Sequence, residues 1–429
     1  MKLKLILMAA GISVAMTVNA QKPIPGQYIV LLKESVAKPV VKEQKRNNNR
    51  EQKVQDNKQL RDKVFQKIKN VQTKGNIKQN SIITEFGDVL AGFSAKLSND
   101  EFKKLKADPD VADVMQDYVI ELGPSEPEKN PPDVGFMMNP GDEISSIMSG
   151  PNAIAIDNTY VYHDFLPAQY VSCAITKAGG FIDGSAKTTW IWILDTGIDL
   201  THPDLNVQTN ATFAKSFVPG QTVQDGKGHG THCAGIAAAR NNTIGVVGVS
   251  AGAKVVPVKV LDNTGSGSYS WVIAGLNHVA MHDIPGDVVS MSLGGYGWTN
   301  CENAMPALRD AVRNLGNAGT YVCMAAGNDY GDAVKNLPGC INGTRVYTVG
   351  SIDCNNVCSS FSNFNGNVVD WVAVGQSVYS TYKGGVYATM SGTSMATPVV
   401  AGIIHARNGA PVSAGNVSCK GFTYKIARR

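Results

Sequence analysis

Between residues 188 and 408, short apolar runs alternate with longer segments of helical pattern, and this alternation restricts the fold more than any other feature. The strand candidates 188–194, 254–261, 287–292, 320–325 and 345–352 are apolar nearly throughout. A strand wetted on one face alternates apolar and polar side chains, so unbroken runs predict strands covered on both faces. The helix candidates between them, 229–239, 268–283, 302–315 and 394–408, supply that cover. Such repetition builds a parallel sheet between helical layers, an α/β fold. Ligands of these sheets bind beyond the carboxyl ends of the strands. Asp195, Ser292 and Asn328 fall at such ends.

Three short segments carry chemistry. In Gly392-Thr393-Ser394-Met395-Ala396-Thr397-Pro398, glycine permits a sharp turn and an apolar run follows, so a helix starts near the serine and its N-terminus faces developing negative charge. A serine hydroxyl becomes a useful nucleophile only when a base takes its proton and donors await the oxyanion. Asp195-Thr196-Gly197 ends a buried strand, and Gly228-His229-Gly230-Thr231-His232-Cys233-Ala234-Gly235 opens a helical run. Alone, each has an ordinary reading: a capping serine, a turn aspartate, a helix-start histidine. Together, in the order Asp195, His229, Ser394, they follow one of the known triad arrangements. On these residues the chain resembles the subtilisin-like serine proteases, most closely their proteinase K-like branch, strongly over residues 172 to 408.

The resemblance implies roles. Asp195 orients the imidazole of His229, which acts as general base and then acid toward Ser394. A metal reading of His229 and His232 lacks a third ligand, and His232 is expected to be structural. Asn328 closes Ala325-Ala326-Gly327-Asn328, and its side-chain amide is the expected oxyanion donor beside the Ser394 N–H; the plain alternative is a turn asparagine. Ser292, Leu293 and Gly294, and Gly265 and Gly267, are expected to flank an extended peptide as strand partners. Tyr269 and Leu261 match positions lining an outer apolar pocket, and Ala326 and Gly327 border an open inner one. Gly248-Val249-Ser250-Ala251-Gly252 satisfies the nucleophile-elbow pattern, but it precedes a strand instead of opening a helix, so Ser250 is rejected.

Upstream lies a different composition. Residues 1–20 combine Lys2 and Lys4, an apolar run and a Val18-Asn19-Ala20 cleavage site, which predicts a signal peptide and export. Residues 21–122 read as strand, Lys/Gln/Asn-rich helix, two short strands, a helix after Ser98 and a last strand, a ferredoxin-like pattern. It resembles the propeptide-inhibitor domain of the same family, which assists folding and blocks the site. The proline-rich stretch 123–168 reads as a linker near the maturation site, and 169–429 as the peptidase domain. Glu302 is the one glutamate of that last region, which marks the boundary.

Charged residues make up 17% and the net charge is +4, with no clustering of Lys and Arg among aromatics. Nucleic-acid binding is not expected. No segment is long and apolar enough to span a membrane. Protein substrates, the chain's own propeptide and a monomeric state are expected. Asp370 matches a calcium ligand of the proteinase K-like branch, with carbonyls from Thr344 and Val346, though it reads equally as a surface aspartate. Eight cysteines in an exported chain predict disulfides. Cys233 and Cys323 fall inside core elements and are expected free. The expected bonds are Cys301–Cys340, Cys354–Cys358 and Cys173–Cys419.

Overall fold

The computed structural model describes residues 21–123 and 169–429, with the backbone of two short strands, Ala153–Ile156 and Thr159–Tyr162. The expected signal peptide, 1–20, and most of the expected linker, 123–168, lie outside the described residues.

The first unit runs β1 (Pro23–Leu32), α1 (Arg50–Asp56), α2 (Lys58–Lys74), β2 (Ile82–Phe86), β3 (Gly92–Lys96), α3 (Asn99–Ala107) and β4 (Val111–Glu121). Its strands pair antiparallel in the order β4-β1-β3-β2, the ferredoxin-like arrangement. The polar stretch after residue 41 is helical because Val64, Ile68 and Val71 recur at helical spacing and bury on the sheet with Phe93 and Ala95. Ser98 and Glu101 form a reciprocal capping box at the start of α3.

The second unit contains β5 (Ile191–Asp195), α4 (His229–Ala238), β6 (Lys254–Lys259), β7 (Ser266–Ser268), α5 (Tyr269–His282), β8 (Val288–Met291), α6 (Pro306–Ala318), β9 (Tyr321–Ala325), β10 (Val346–Ile352), β11 (Trp371–Val374), β12 (Val378–Tyr382), β13 (Val386–Met390), α7 (Thr393–Arg407), β14 (Val412–Cys419) and β15 (Phe422–Arg428). The main sheet runs β6-β5-β8-β9-β10-β11-β15-β14, parallel from β6 to β15. The expected parallel sheet buried on both faces is present. In β5, Ile191 and Ile193 join the core shared with α4 and α7, whereas Trp192 and Leu194 join the core shared with α5 and α6.

Three features depart from the sequence reading. The expected 302–315 helix is two pieces, Cys301–Ala304 and α6, because Pro306 restarts the helix at its first turn. The β14–β15 hairpin completes the sheet after the last expected helix, and Tyr424 and Ile426 are its inward residues. The cysteine pairing also differs. Cys301 bonds Cys340, but Cys173 bonds Cys354 and Cys358 bonds Cys419, which replaces the expected 354–358 and 173–419 bonds. The reason is the Asp353 turn: its carboxylate accepts from the Asn355 and Val357 N–H groups, and its own N–H donates to the Val357 carbonyl. That turn sends the two sulfurs to different elements, the helix at Cys173–Lys177 and the β14 end. Cys233 and Cys323 are free and buried, as expected.

Candidate active site

Asp195 ends β5, and His229 opens α4 beside it. His229 Nδ1 lies 2.8 and 2.9 Å from the two Asp195 carboxylate oxygens, and both residues are buried. The glycines around the histidine permit this approach. A Cβ on Gly230 would lie 2.1 Å from the Gly197 carbonyl oxygen, and one on Gly228 2.3 Å from the Tyr382 ring. Burial disfavours the imidazolium, the Asp195 carboxylate favours it, and the net direction is well above the ordinary histidine value. Cys233, whose sulfur is 4.0 Å from Nδ1, adds no charge to this, because burial pushes its thiol pKa up and keeps it neutral. Asp195, His229 and Cys233 have donor atoms within metal-binding reach of one another, but Nδ1 and the carboxylate are already engaged with each other. His232 faces away. Its Nε2 meets the Ala388 carbonyl at 2.9 Å, and burial lowers its pKa to about 3, so it is a neutral packing residue.

Sequence reasoning missed the brace behind this pair. One Asp225 oxygen accepts from Thr196 Oγ1 (2.9 Å) and the Gly228 N–H (2.7 Å); the other accepts from the Thr231 N–H and hydroxyl (2.9 and 2.7 Å). One carboxylate thereby ties the end of β5 to the start of α4. The buried ammonium of Lys259 donates to the Thr196 carbonyl and to Asn263 Oδ1. The signal available in the sequence was Asp225 at the mouth of the glycine-rich helix start.

Ser394 sits in the first turn of α7, where backbone N–H groups lack intrahelical acceptors. Pro398, four residues on, has no N–H to give the Ser394 carbonyl. That carbonyl is taken instead by Ser292 Oγ (2.8 Å) and Cys233 Sγ (3.5 Å). Ser394 Oγ donates to the Ser292 carbonyl at 3.2 Å, and His229 Nε2 is buried with no partner among the described residues. Asn328 is latched by its oxygen: Oδ1 accepts from the Thr393 N–H (2.9 Å) and hydroxyl (2.8 Å), which turns Nδ2 outward as the donor end. The latch through Thr393 was not foreseen.

The segments expected to bind peptide are partly engaged by the chain itself. β7 pairs antiparallel with β4, with Ser266 opposite Glu121, Gly267 opposite Ile120 and Ser268 opposite Val119. The Leu122 N–H donates to the Gly265 carbonyl at 2.9 Å. A Cβ on Gly123 would lie 4.0 Å from Asn328 Nδ2, so the chain leaving β4 runs to Asn328. Ile120 is buried in one cluster with Leu261 and Tyr269. Ser292, Leu293 and Gly294 border the same region, but among the described residues the pairing there is made by Gly295–Tyr296 with Asn336–Leu337, not by β4. Ala326 is buried, and Gly327 has φ +99° with Asn363 Nδ2 only 2.3 Å from an added Cβ, so glycine is required there. Ser250 is fully buried and bonded to His405 Nδ1 at 2.7 Å, out of reach of substrate.

Asp370 lies apart, just before β11. Its carboxylate accepts from the Thr348 N–H (2.8 Å), and desolvation pushes its pKa up to about 6. Although Asp370 is exposed as a residue, its carboxyl is partly desolvated, and with a single backbone N–H accepted it keeps oxygen lone pairs for a hard cation. Val346 begins the neighbouring β10. The Thr344 carbonyl lies against α6, 2.2 Å from a Cβ added to Gly316.

Compared with known proteins, residues 186–406 match the subtilase family and residues 27–123 match the peptidase inhibitor I9 family. The chain is 38% identical over 325 residues to alkaline serine protease ver112 of Corniculantispora psalliotae, covering 74% of this chain and 72% of that protein. It is 38% identical over 320 residues to the cuticle-degrading protease of Metarhizium anisopliae, covering 73% and 69%. It is also 38% identical over 269 residues to subtilisin amylosacchariticus of Bacillus subtilis subsp. amylosacchariticus, covering 60% and 66%. Among the described residues no helix is long and apolar enough to cross a membrane.

Proposed function

From the premise that this chain belongs to the subtilase family of serine proteases, we propose that it is a secreted, monomeric serine endopeptidase made as a self-processed zymogen. Asp195, His229 and Ser394 are its triad and Asn328 its side-chain oxyanion donor. The observation that carries this reading is the buried Asp195–His229 pair whose Nε2, unpartnered among the described residues, lies near the serine-bearing helix start.

In the reaction, Ser394 rotates about χ1 from the Ser292 carbonyl toward His229 Nε2. The imidazole takes the hydroxyl proton as Oγ attacks the scissile carbonyl. The oxyanion is met by Asn328 Nδ2 and the Ser394 N–H, both fixed before reaction, so their contribution costs no reorganisation. Collapse breaks the C–N bond, His229 gives its proton to the leaving amine, and water activated through the same ring releases the acyl group. Asp195 holds the ring throughout.

The β4 strand supports the zymogen reading, because Ile120 to Gly123 lie along the β7 edge as an extended substrate would. Maturation therefore falls between residues 122 and 172. Ile120 against Leu261 and Tyr269 supports an apolar preference at the outer pocket. The small residues 325–327, with no acidic residue at 292–295 or 325–328, support an apolar or aromatic preference before the scissile bond. Calcium, held by the Asp370 carboxylate with carbonyls of Thr344 and Val346, would bind the folded state alone and so stabilise it.

Hydrolysis of a peptide library separates these claims. Activity should vanish in Ser394→Ala and persist in Ser250→Ala, with Phe, Tyr or Leu dominating before the cut. A Lys or Arg profile would overturn the specificity, and activity that depends on Ser250 would overturn the mechanism.

A further inference from the structure

Two basic side chains of the first unit are buried in the second, far from the cleft. Arg50 Nη2 donates to Asp287 Oδ1 (2.8 Å) and to the Thr188 carbonyl (3.0 Å). Nη1 reaches the other Asp287 oxygen and the His282 carbonyl (3.1 Å). The guanidinium lies over the Trp190 ring, 3.7 Å from its centroid. One turn along α1, the Lys53 ammonium donates to the Asp283 carboxylate and to the carbonyls of Ala280 (2.8 Å) and Asp283 (3.0 Å). Side-chain exposure is 7% for Arg50, 0% for Asp287, 4% for Lys53 and 3% for Asp283.

The receiving groups are built without the first unit. Asp287 also accepts from the Trp190 N–H (2.9 Å) and Trp192 Nε1 (2.8 Å), and Asp283 from the Thr320 hydroxyl. The Ala280, His282 and Asp283 carbonyls belong to the C-terminal turn of α5 and the residue after it, the negative end of the helix dipole, and the Thr188 carbonyl precedes β5. Planar fork, ring face and carboxylate suit a guanidinium, and the neighbouring carbonyl nest suits an ammonium.

We propose that this surface is a cation-binding exosite for an Arg/Lys pair three apart on a helix, and that it is a second, charged anchor for the prosegment. The inference rests on the reading of residues 21–122 as an inhibitory prosegment. α5 sets the separation of the two anchors. Ser268, at its start, pairs with Val119 at the cleft, and its other end forms the exosite. Its 14 residues make that about 20 Å. Between them Asn277 Oδ1 accepts from the Gly87, Asp88 and Val89 N–H groups, and Ile29, Leu31, Phe86 and Met115 share a buried apolar cluster with α5 and α6, a contact without charge. Once the chain is cut, the strand can therefore leave the cleft while Arg50 and Lys53 still hold the prosegment on the enzyme. The held prosegment returns its strand to the cleft at high effective concentration, so lasting release of activity waits on the exosite.

Self-processing of the full-length chain tests this. Gels follow the first cut, and a chromogenic peptide follows free activity. Arg50→Ala/Lys53→Ala should cut itself at the wild-type rate but release activity roughly 100-fold sooner, because truncating one side of a buried ion pair leaves unpaired buried charge. An unchanged lag after a normal cut overturns the exosite alone, whereas an uncut wild-type chain counts against the zymogen reading itself. If the double variant does not fold, hydrogen exchange on the self-cleaved wild-type complex with a peptide boronate in the cleft decides instead. Residues 119–122 should lose protection while 50–57 and 280–287 keep it, and simultaneous loss of all three overturns the proposal.

Discussion

Asp195 and Asp370 are carboxylates at opposite ends of the same parallel sheet, and their surroundings give them opposite uses. Asp195 closes the carboxyl end of β5, wholly buried, and both its oxygens meet His229 while one also accepts the Thr196 N–H at 2.7 Å. Asp370 stands before the amino end of β11 with the Thr348 N–H at 2.8 Å, and desolvation raises its pKa to about 6. The first is saturated by directed donors and can only orient a ring. The second has unspent negative charge and suits an ion. Burial and donor count together separate the two: Asp195 is wholly enclosed and met by His229 and the Thr196 N–H, whereas Asp370 is exposed and meets one backbone N–H.

Substitution should break that contrast in different observables. Asp195→Asn keeps the shape but lets His229 adopt the wrong tautomer, so kcat should fall about 10⁴-fold while the thermal midpoint changes little. Its pH profile adds a sign. The base works only unprotonated, so activity is lost as pH falls through the His229 pKa. The Asp195 charge raises that pKa. Removing it should move the acid limb of the residual activity to lower pH, and a limb that stays put or moves up would contradict the assignment. Asn328→Ala comes next, with kcat lower by about 10²–10³-fold and KM nearly unchanged, since Nδ2 meets the oxyanion only in the transition state. An effect confined to KM would make Asn328 a ground-state contact. The smallest effect on chemistry belongs to Asp370→Asn or calcium chelation. With calcium at roughly 100 Kd, either should lower the thermal midpoint by about 5–10 °C and leave kcat at low temperature intact. A wild-type midpoint indifferent to chelation would mean that no ion binds at Asp370.

Local patterns made the frame legible. Unbroken apolar runs such as Trp190 to Leu194 announced the two-sided sheet, and each catalytic residue lay inside a short segment with its own turn or helix-start chemistry. What stayed hidden depends on chain segments distant in sequence. The Cys354 and Cys358 partners follow from how the Asp353 turn aims two sulfurs, and spacing alone made the four-residue loop look sufficient. The Asn328–Thr393 latch joins residues 65 apart, and Arg50–Asp287 joins residues 237 apart. A basic residue in a Lys/Gln/Asn-rich helix reads as solvated until its receptor is seen. Pro398 was legible as a residue, but its effect, a Ser394 carbonyl released to Ser292 and Cys233, required the fold.

The most direct test of the account is covalent labelling of the mature enzyme with an organophosphonate that captures activated serines, read by peptide mapping. The account predicts one adduct, on Ser394, lost in His229→Ala and blocked by a bound peptide aldehyde. An adduct on Ser250, or an adduct on Ser394 that forms at the same rate without His229, would contradict it.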